Sequence, residues 1–380
     1  MSDIAMGRPA EPVQSPLEGI WRRMAGSRLK TSYSTELALF RSWPQRVAIV
    51  AGVIFVLTLP QTLGPYATGV ATIIALTIPG AIALNLLQGV AGQVSAGNAA
   101  FLGIGAVVTA FLTGRYPSIN FLIVLPLAGL VAAAVGAIVA LPALRVRGLY
   151  LLISTLALHQ IIVYLILVYQ EQSVGPAGWF IPVPSIPGLF SIEKPIQWYY
   201  FLLVFAAISM LLMSNILRTR IGRAWIAIRD GDIAAEIIGV NVMMGKVQAF
   251  VLTSFVIGVQ GALFAYYVQV IQHTLFTFDI AIVYISIVII GGMGSTFGTV
   301  LGAALVVGLP YLLQQIAVNA PSDFPLANLF LLHIFDLQIV VYGLMIMGFL
   351  LFAPYGLVQL WRRVIGFFRM WPFSTDRTSR

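Results

Sequence analysis

Asn120-Phe-Leu-Ile-Val-Leu-Pro-Leu-Ala-Gly-Leu-Val-Ala-Ala-Ala-Val-Gly-Ala-Ile-Val-Ala-Leu141 carries no charged side chain. A helix rises about 1.5 Å per residue, so about 20 apolar residues match the hydrocarbon core of a bilayer. The stretch reads as a membrane helix. Working outward, the same pattern recurs over residues 46–63, 66–89, 97–113, 148–170, 197–217, 247–271, 280–291, 296–317 and 337–359. The segments at 97–113 and 280–291 are short and flanked by glycine, and they read as half-buried or broken helices. The expected fold is all-α: a polytopic transmembrane helical bundle of about ten spans over residues 46–360, between a polar N-terminal tail (1–45) and a basic C-terminal tail (361–380).

Composition supports a lipid solvent. Of the 380 residues, 59% are hydrophobic and 9% are charged, against about 25% charged in a soluble domain. A soluble chain of this kind would expose large apolar patches. Cysteine is absent, which excludes disulfides, thiolate metal sites and cysteine nucleophiles. The three histidines, His159, His273 and His333, lie far apart, and no His/Asp/Glu cluster has metal-ligand spacing.

The net charge of +8 does not call for nucleic acid, because the charges are segregated. With a cytoplasmic N-terminus and ten spans, all but Arg115 and Lys194 of the 21 Lys and Arg fall on one side. They occupy the N-terminal tail, the 142–147 loop, the 218–246 loop and the C-terminal tail, as the positive-inside rule requires. Both termini are therefore expected in the cytoplasm, and 171–196 is the large outer loop. The N-terminal tail is too long and polar for a secretory signal; a short helix is expected near Glu18 to Lys30. Trp43, Tyr116, Trp198, Tyr199, Tyr200, Tyr355 and Trp361 sit near span ends, the place of an interfacial belt.

The membrane interior holds neutral polar residues, among them Asn85, Gln93, Ser95, Asn98, His159, Gln160, Gln260, Tyr284 and Gln314. We take Asn85, Gln93, Ser95, Asn98, His159 and Gln160, with Gly291, Gly292 and Ser295, as the candidate translocation path. His159 is the one ionisable residue deep in a span, and a neutral histidine bonded to a neighbouring helix is its simplest reading. Acidic residues are confined to tails and loops, which argues against a secondary transporter coupled to protons or sodium. A membrane-embedded enzyme would need clustered acids or histidines, so none is expected, and no cofactor or metal site is expected either. Gly294, Gly298 and Gly302, four apart, predict a small face for close helix packing. Gly89, Gly92, Gly97, Gly103 and Gly105 predict a broken region across 85–106.

Two motifs are decoys. Gly239 to Val247 resembles a phosphate loop, but the glycine spacing is one residue too long and Val247 stands where a hydroxyl must hold magnesium. Gly292-Met-Gly294-Ser-Thr-Phe297 lacks the third glycine of a dinucleotide fingerprint.

Residues 218–250 form the longest internal basic loop, yet Trp225, Ile226, Ile228, Ile233, Ile237 and Ile238 give it apolar faces. Two short helices are expected: one over about 222–229, the second N-capped by Asp232 and ended by Gly239. Such helices lack a core of their own and need a partner surface. The Ala234-Ala235-x-x-x-Gly239 pattern resembles the coupling loop of ABC-importer permeases. Gly222-Arg223-Ala224, Ala227-Ile228-Arg229-Asp230, Ala234-Ala235-Glu236, Gly239 and Lys246 to Phe250 together resemble the branched-chain amino acid permease family of the LivM type. Leu84 to Ser95, Gly97 to Phe101, Arg147 to Leu152 and Gly291 to Ser295 agree with that resemblance, which covers roughly 65–358. Ile233 stands where the wider permease motif has Glu, and Asn98 where the family often has His.

The resemblance implies a permease subunit of an ATP-driven importer in a bacterial inner membrane. It implies cytoplasmic ATP-binding subunits, a second homologous permease subunit and a periplasmic substrate-binding protein as partners. The coupling residues would be Gly222, Arg223, Ala224, Ile228, Arg229, Asp230, Ala234, Ala235, Glu236 and Gly239. Branched-chain amino acids lead as cargo, with urea or short amides as the alternative within the family.

Overall fold

The computed structural model describes residues 43–62, 64–143, 148–186, 190–318, 334–352 and 356–360. The helix expected near Glu18, the loop residues 144–147, Trp361 and the C-terminal tail lie outside the described residues. The described residues divide into two units, one on each side of the boundary between Pro65 and Tyr66. The first contains α1 (Trp43–Thr62).

From Tyr66 onward the second unit holds α2 (Gly64–Asn85), which runs into a π-turn at Leu86–Val90. Then follow α3 (Asn98–Arg115), α4 (Phe121–Ala143), α5 (Leu149–Ser173) and α6 (Pro195–Arg218). Two short helices come next, α7 (Arg220–Asp230) and α8 (Asp232–Ile237). The chain re-enters the bundle through α9 (Val242–Val268), α10 (Phe278–Gly291), α11 (Thr296–Val318) and α12 (Ile334–Phe352). A helix thus falls on each of the ten apolar segments. Among the described residues, seven helices are long and apolar enough to cross a membrane, and three shorter apolar stretches lie in α1, α11 and α12. The 97–113 segment is one continuous helix. The 280–291 segment lies in α10, which is 14 residues long and is preceded by a 3-10 turn at His273–Leu275.

Glycine decides which helices meet most closely. Lipid tails are as apolar as leucine side chains, so helices associate through close packing at small residues. Gly258 of α9 faces the Ala128 and Ala132 strip of α4, and Gly105 of α3 lies against the Gly258 backbone. Gly261 of α9 packs on the Leu102 backbone, so α9 is wedged between α3 and α4. Gly103 and Gly105 were expected to break a helix. They instead lie within α3, where they admit Phe276 and α9. Between α10 and α11, Gly298 and Gly302 rest on Gly291. Gly294 does not share that face: it lies in the turn before α11, at φ +80°.

The loops of this unit sort to two ends. At one end, β1 (Trp179–Phe180) pairs antiparallel with β4 (Val270–Ile271), and the His273 N–H donates to Gln170 Oε1 at 2.8 Å. The second short ladder, β2 (Ser185–Ile186) with β3 (Phe190–Ser191), belongs to the same loop. At the other end, Arg229 meets Gly89, and Gly356 meets Gly292. The alternation counted from charge puts these same loops on opposite sides. The aromatic belt is only partly a belt: Tyr116 is exposed, whereas Trp198 and Tyr199 are buried among neighbouring helices.

Gly105→Ala places a methyl against the Gly258 carbonyl and is expected to destabilise the protein by about 1–3 kcal/mol. Gly114→Ala, with open space around it, is expected to be neutral or stabilising. Thermal unfolding in detergent checks the contrast, and equal responses of the two variants would contradict the packing described.

Candidate functional site

The break after α2 is the geometric centre of the site. The Ala91 and Gln93 N–H groups reach back to the Leu86 and Leu87 carbonyls, and the chain then leaves the helix. The Gly89 carbonyl needs a donor from elsewhere, since an unmet backbone group at membrane depth is costly. Arg229 of α7 supplies it: Nη1 donates to Gly89 O at 2.6 Å. A cation there also complements the negative end of the α2 dipole. Gly92, at φ +69°, leaves room for the Arg229 stem; a Cβ would lie 2.8 Å from its Cγ.

Asn85 ties the same break to the turn between α10 and α11. Its Oδ1 accepts from the Gly294 N–H at 2.7 Å, and its Nδ2 donates to Ser295 O at 3.1 Å and to Thr299 Oγ1 at 2.5 Å. The Gly294 N–H also lies where a Cβ on Gly89 would stand. Three chain segments far apart in sequence therefore converge on one small volume: the π-turn, the 291–295 turn and the end of α7.

The short helices are held from inside and open outside. Gly222, Trp225 and Ile228 form the buried stripe of α7. Trp225 Nε1 donates to Gly245 O at 2.9 Å. Gly245 leaves space for Ile228, whose Cδ1 would lie 2.5 Å from a Cβ there. The side-chain cap on α8 that the sequence leads one to expect of Asp232 is not made. Asp232 is the first residue of α8, and its carboxylate pairs with Lys246 Nζ at 2.7 Å, both side chains largely shielded. Gly239 ends α8 at φ +87°, with its N–H on Glu236 O and the Val240 N–H on Ala235 O. That is the six-to-one, five-to-two pattern of a Schellman stop. Ala235 is buried. Ala234, Glu236, Ile233, Ile237 and Ile238 are exposed, and Ile237 is 80% exposed. Met243 and Met244 continue this uncovered apolar patch. Arg223 donates to Arg218 O at 3.0 Å, and Arg229 also pairs with Asp230 at 3.3 Å on the exposed side.

The expected path residues divide. Asn85, Gly291, Gly292 and Ser295 gather at the turn described above. Gln93 and Ser95 are buried in the loop 91–97, where Gln93 Nε2 reaches Lys246 O at 3.4 Å and the Ala96 N–H donates to Thr155 Oγ1 at 3.0 Å. Asn98 and His159 are buried, and neither Asn98 amide atom nor His159 Nδ1 has a hydrogen-bond partner among the described residues. The interhelical bond expected of His159 is not made through Nδ1; its ring lies beside Phe278, centroids 6.4 Å apart. Gln160 sits on the exposed face of α5, away from this cluster. Among the described residues there is no group of three or more His, Cys, Asp or Glu able to hold a metal. The sequence offered no signal for the Arg229–Gly89 contact, which spans 140 positions.

The described family "Branched-chain amino acid transport system / permease component" matches residues 66–353. The chain belongs to that family. It is 32% identical over 286 residues to the high-affinity branched-chain amino acid transport system permease protein LivM of Salmonella typhimurium, covering 69% of this chain and 67% of that one. The LivM protein of Escherichia coli gives the same figures. A probable LivM of Methanocaldococcus jannaschii is 25% identical over 237 residues, 61% of this chain and 66% of that one. No solved structure gives a significant match. With its apolar helices, the permease is a multi-pass membrane protein.

Asn85→Leu keeps volume but strands the Gly294 N–H, whereas Ser295 O and Thr299 Oγ1 keep their bond to each other. An unmet buried group costs about 1–3 kcal/mol, so the variant should melt several degrees lower than wild type in detergent. An unchanged melting temperature would contradict this bridging role.

Proposed function

We propose that this permease is one membrane subunit of an ATP-driven importer of branched-chain or related aliphatic amino acids, with both termini in the cytoplasm of a bacterial inner membrane and about ten spans. The observation that carries the reading is the α7–α8 pair. Its inner face is bonded to the break in α2, and its outer face is an uncovered apolar patch. An exposed patch of Ile and Met beside a short capped helix is the kind of surface that seats in a partner's groove. Separate cytoplasmic ATPases are the partners that fit, since the family members matched are transport permeases and the loop at 239–247 is the start of a membrane helix rather than a phosphate loop.

The physics of coupling follows from the contacts. ATP binding closes the ATPases and displaces α7 and α8. Because Trp225, Ile228 and the Asp232–Lys246 pair hold the short helices to α9, the displacement enters the bundle as a rigid-body movement. Arg229 carries it to the π-turn, and Asn85 carries it on to the 291–295 turn. Energy for the shift comes from nucleotide on the partner, as differential affinity for two states demands. A second, homologous permease completes the pathway. A periplasmic binding protein docks at the opposite end, where Phe180, Val183 and Val174 are exposed.

Two variants separate docking from transmission. Ile237→Asp puts a charge on the uncovered patch and is expected to abolish copurification of the ATPase and cut uptake more than tenfold. Arg229→Ala leaves the patch intact, so the ATPase should copurify and hydrolyse ATP while leucine uptake falls at least fivefold. Full uptake by both variants, with normal membrane insertion, would sink the coupling assignment. Ala235→Asp is not an informative docking test, because Ala235 is buried.

A further inference from the structure

At the level of the bundle remote from α7 and α8 lies a cavity of about 360 Å³, within the range of small-molecule sites. It is walled by α2, α3, α9, α10, α11 and α12. Its deep part is formed by Leu76, Leu102 and Gln260, with Phe264, Val283 and Tyr284 on the flanks. Tyr311 and Gln314 stand at the mouth, next to the contact of Tyr66 with Gln314 at 3.4 Å. None of these residues belongs to the path expected from sequence.

The floor is built rather than left over from poor packing. Pro79 removes a donor from the ladder of α2, and Gly80 leaves the adjoining surface bare. Gln260 of α9 enters this notch: its Nε2 donates to Leu76 O at 2.9 Å and also to the Tyr284 hydroxyl. Gln260 is 1% exposed, and its Oε1 has no hydrogen-bond partner among the described residues. A side chain on Gly80 would collide with that amide. That oxygen is packed against Gly80 and closed off from the cavity, so the part the amide plays is to fix the Tyr284 hydroxyl in the wall.

Resting on the reading as an amino-acid importer, we propose that this cavity is the permease's own binding site for the cargo, an α-amino acid with a branched aliphatic side chain. The aliphatic and aromatic walls take the side chain. The phenols of Tyr284 and Tyr311, with the Gln314 amide at the mouth, take the polar end, and Gln260 positions the Tyr284 hydroxyl. Among the described residues no charged side chain lines the cavity, so a solute of zero net charge fits, whereas lysine or aspartate would bury an unpaired charge.

The test uses the assembled transporter, with its ATPases and delivery protein, in proteoliposomes. Leucine and phenylalanine uptake are measured for wild type, Val283→Trp, Val283→Ala and Gln260→Met, with copurified ATPase as the assembly control. Val283→Trp fills the cavity, and leucine uptake should fall more than tenfold. Val283→Ala widens it, and the phenylalanine-to-leucine ratio should rise several-fold. Gln260→Met should raise the leucine KM about tenfold while kcat changes little, a split that a merely structural role would not give. ATP-dependent leucine uptake by wild type with the same KM and substrate ratio in assembled variants would overturn the cavity site and leave the importer reading standing. The same holds if a copurifying lipid is lost from Val283→Trp while leucine uptake persists. Failure of wild type to take up any aliphatic amino acid would overturn both. If Val283→Trp fails to assemble, the ratio in Val283→Ala decides.

Discussion

A helix that stops inside a membrane protein leaves carbonyls that water cannot reach, and at Gly89 the missing donor comes from a helix outside the bundle. The Arg229–Gly89 bond is worth about 1.5–3 kcal/mol at most, and less here because the Arg229 side chain is 43% exposed. Its consequence is larger than its energy. It makes the position of α7 a condition for satisfying the end of α2, and Asn85 extends the condition to the turn before α11. Glycine at 89, 92 and 294 is what allows three backbones and one guanidinium to share that space.

The same two helices that meet at this break also line the cavity. On α2, Gly80 and Gly89 are separated by about 13 Å of helix; the first faces Gln260 and the second faces Gly294. On α10, Tyr284 borders the cavity and Gly291 supports α11. A displacement at one level is therefore delivered to the other through short, stiff helical segments rather than through loops. Pro79 and Pro310, prolines inside α2 and α11, lie beside or in the cavity wall. This is where irregular backbone is tolerated at membrane depth, because neighbouring side chains can satisfy the freed groups.

Much of the architecture was legible in the sequence. Apolar length alone placed ten helices, because the bilayer's thickness sets the minimum run and few soluble folds need one so long. The α8 stop at Gly239 was legible too, since only glycine takes φ +87° without strain. Other local readings failed for tertiary reasons. Asp232 was drawn from a capping role into a pair with Lys246. Gly103 and Gly105 stayed helical because their bareness serves the contact with Phe276 and α9. Trp198 and Tyr199 left the expected interfacial belt for buried packing. Gln260 and Tyr284 were visible as intramembrane polar residues, but nothing in their spacing joined them to Gly80.

By itself the sequence determined a bundle of long apolar helices and, through its motifs, the family. These depend on composition and local pattern, which one-dimensional order carries. Only the tertiary structure decided which face of α7–α8 is buried and which is open, that Arg229 caps Gly89, and that a cavity lies around Gln260. The last two depend on residues 140 or more positions apart along the chain, brought together by close helix packing in a solvent that satisfies no stray hydrogen bond.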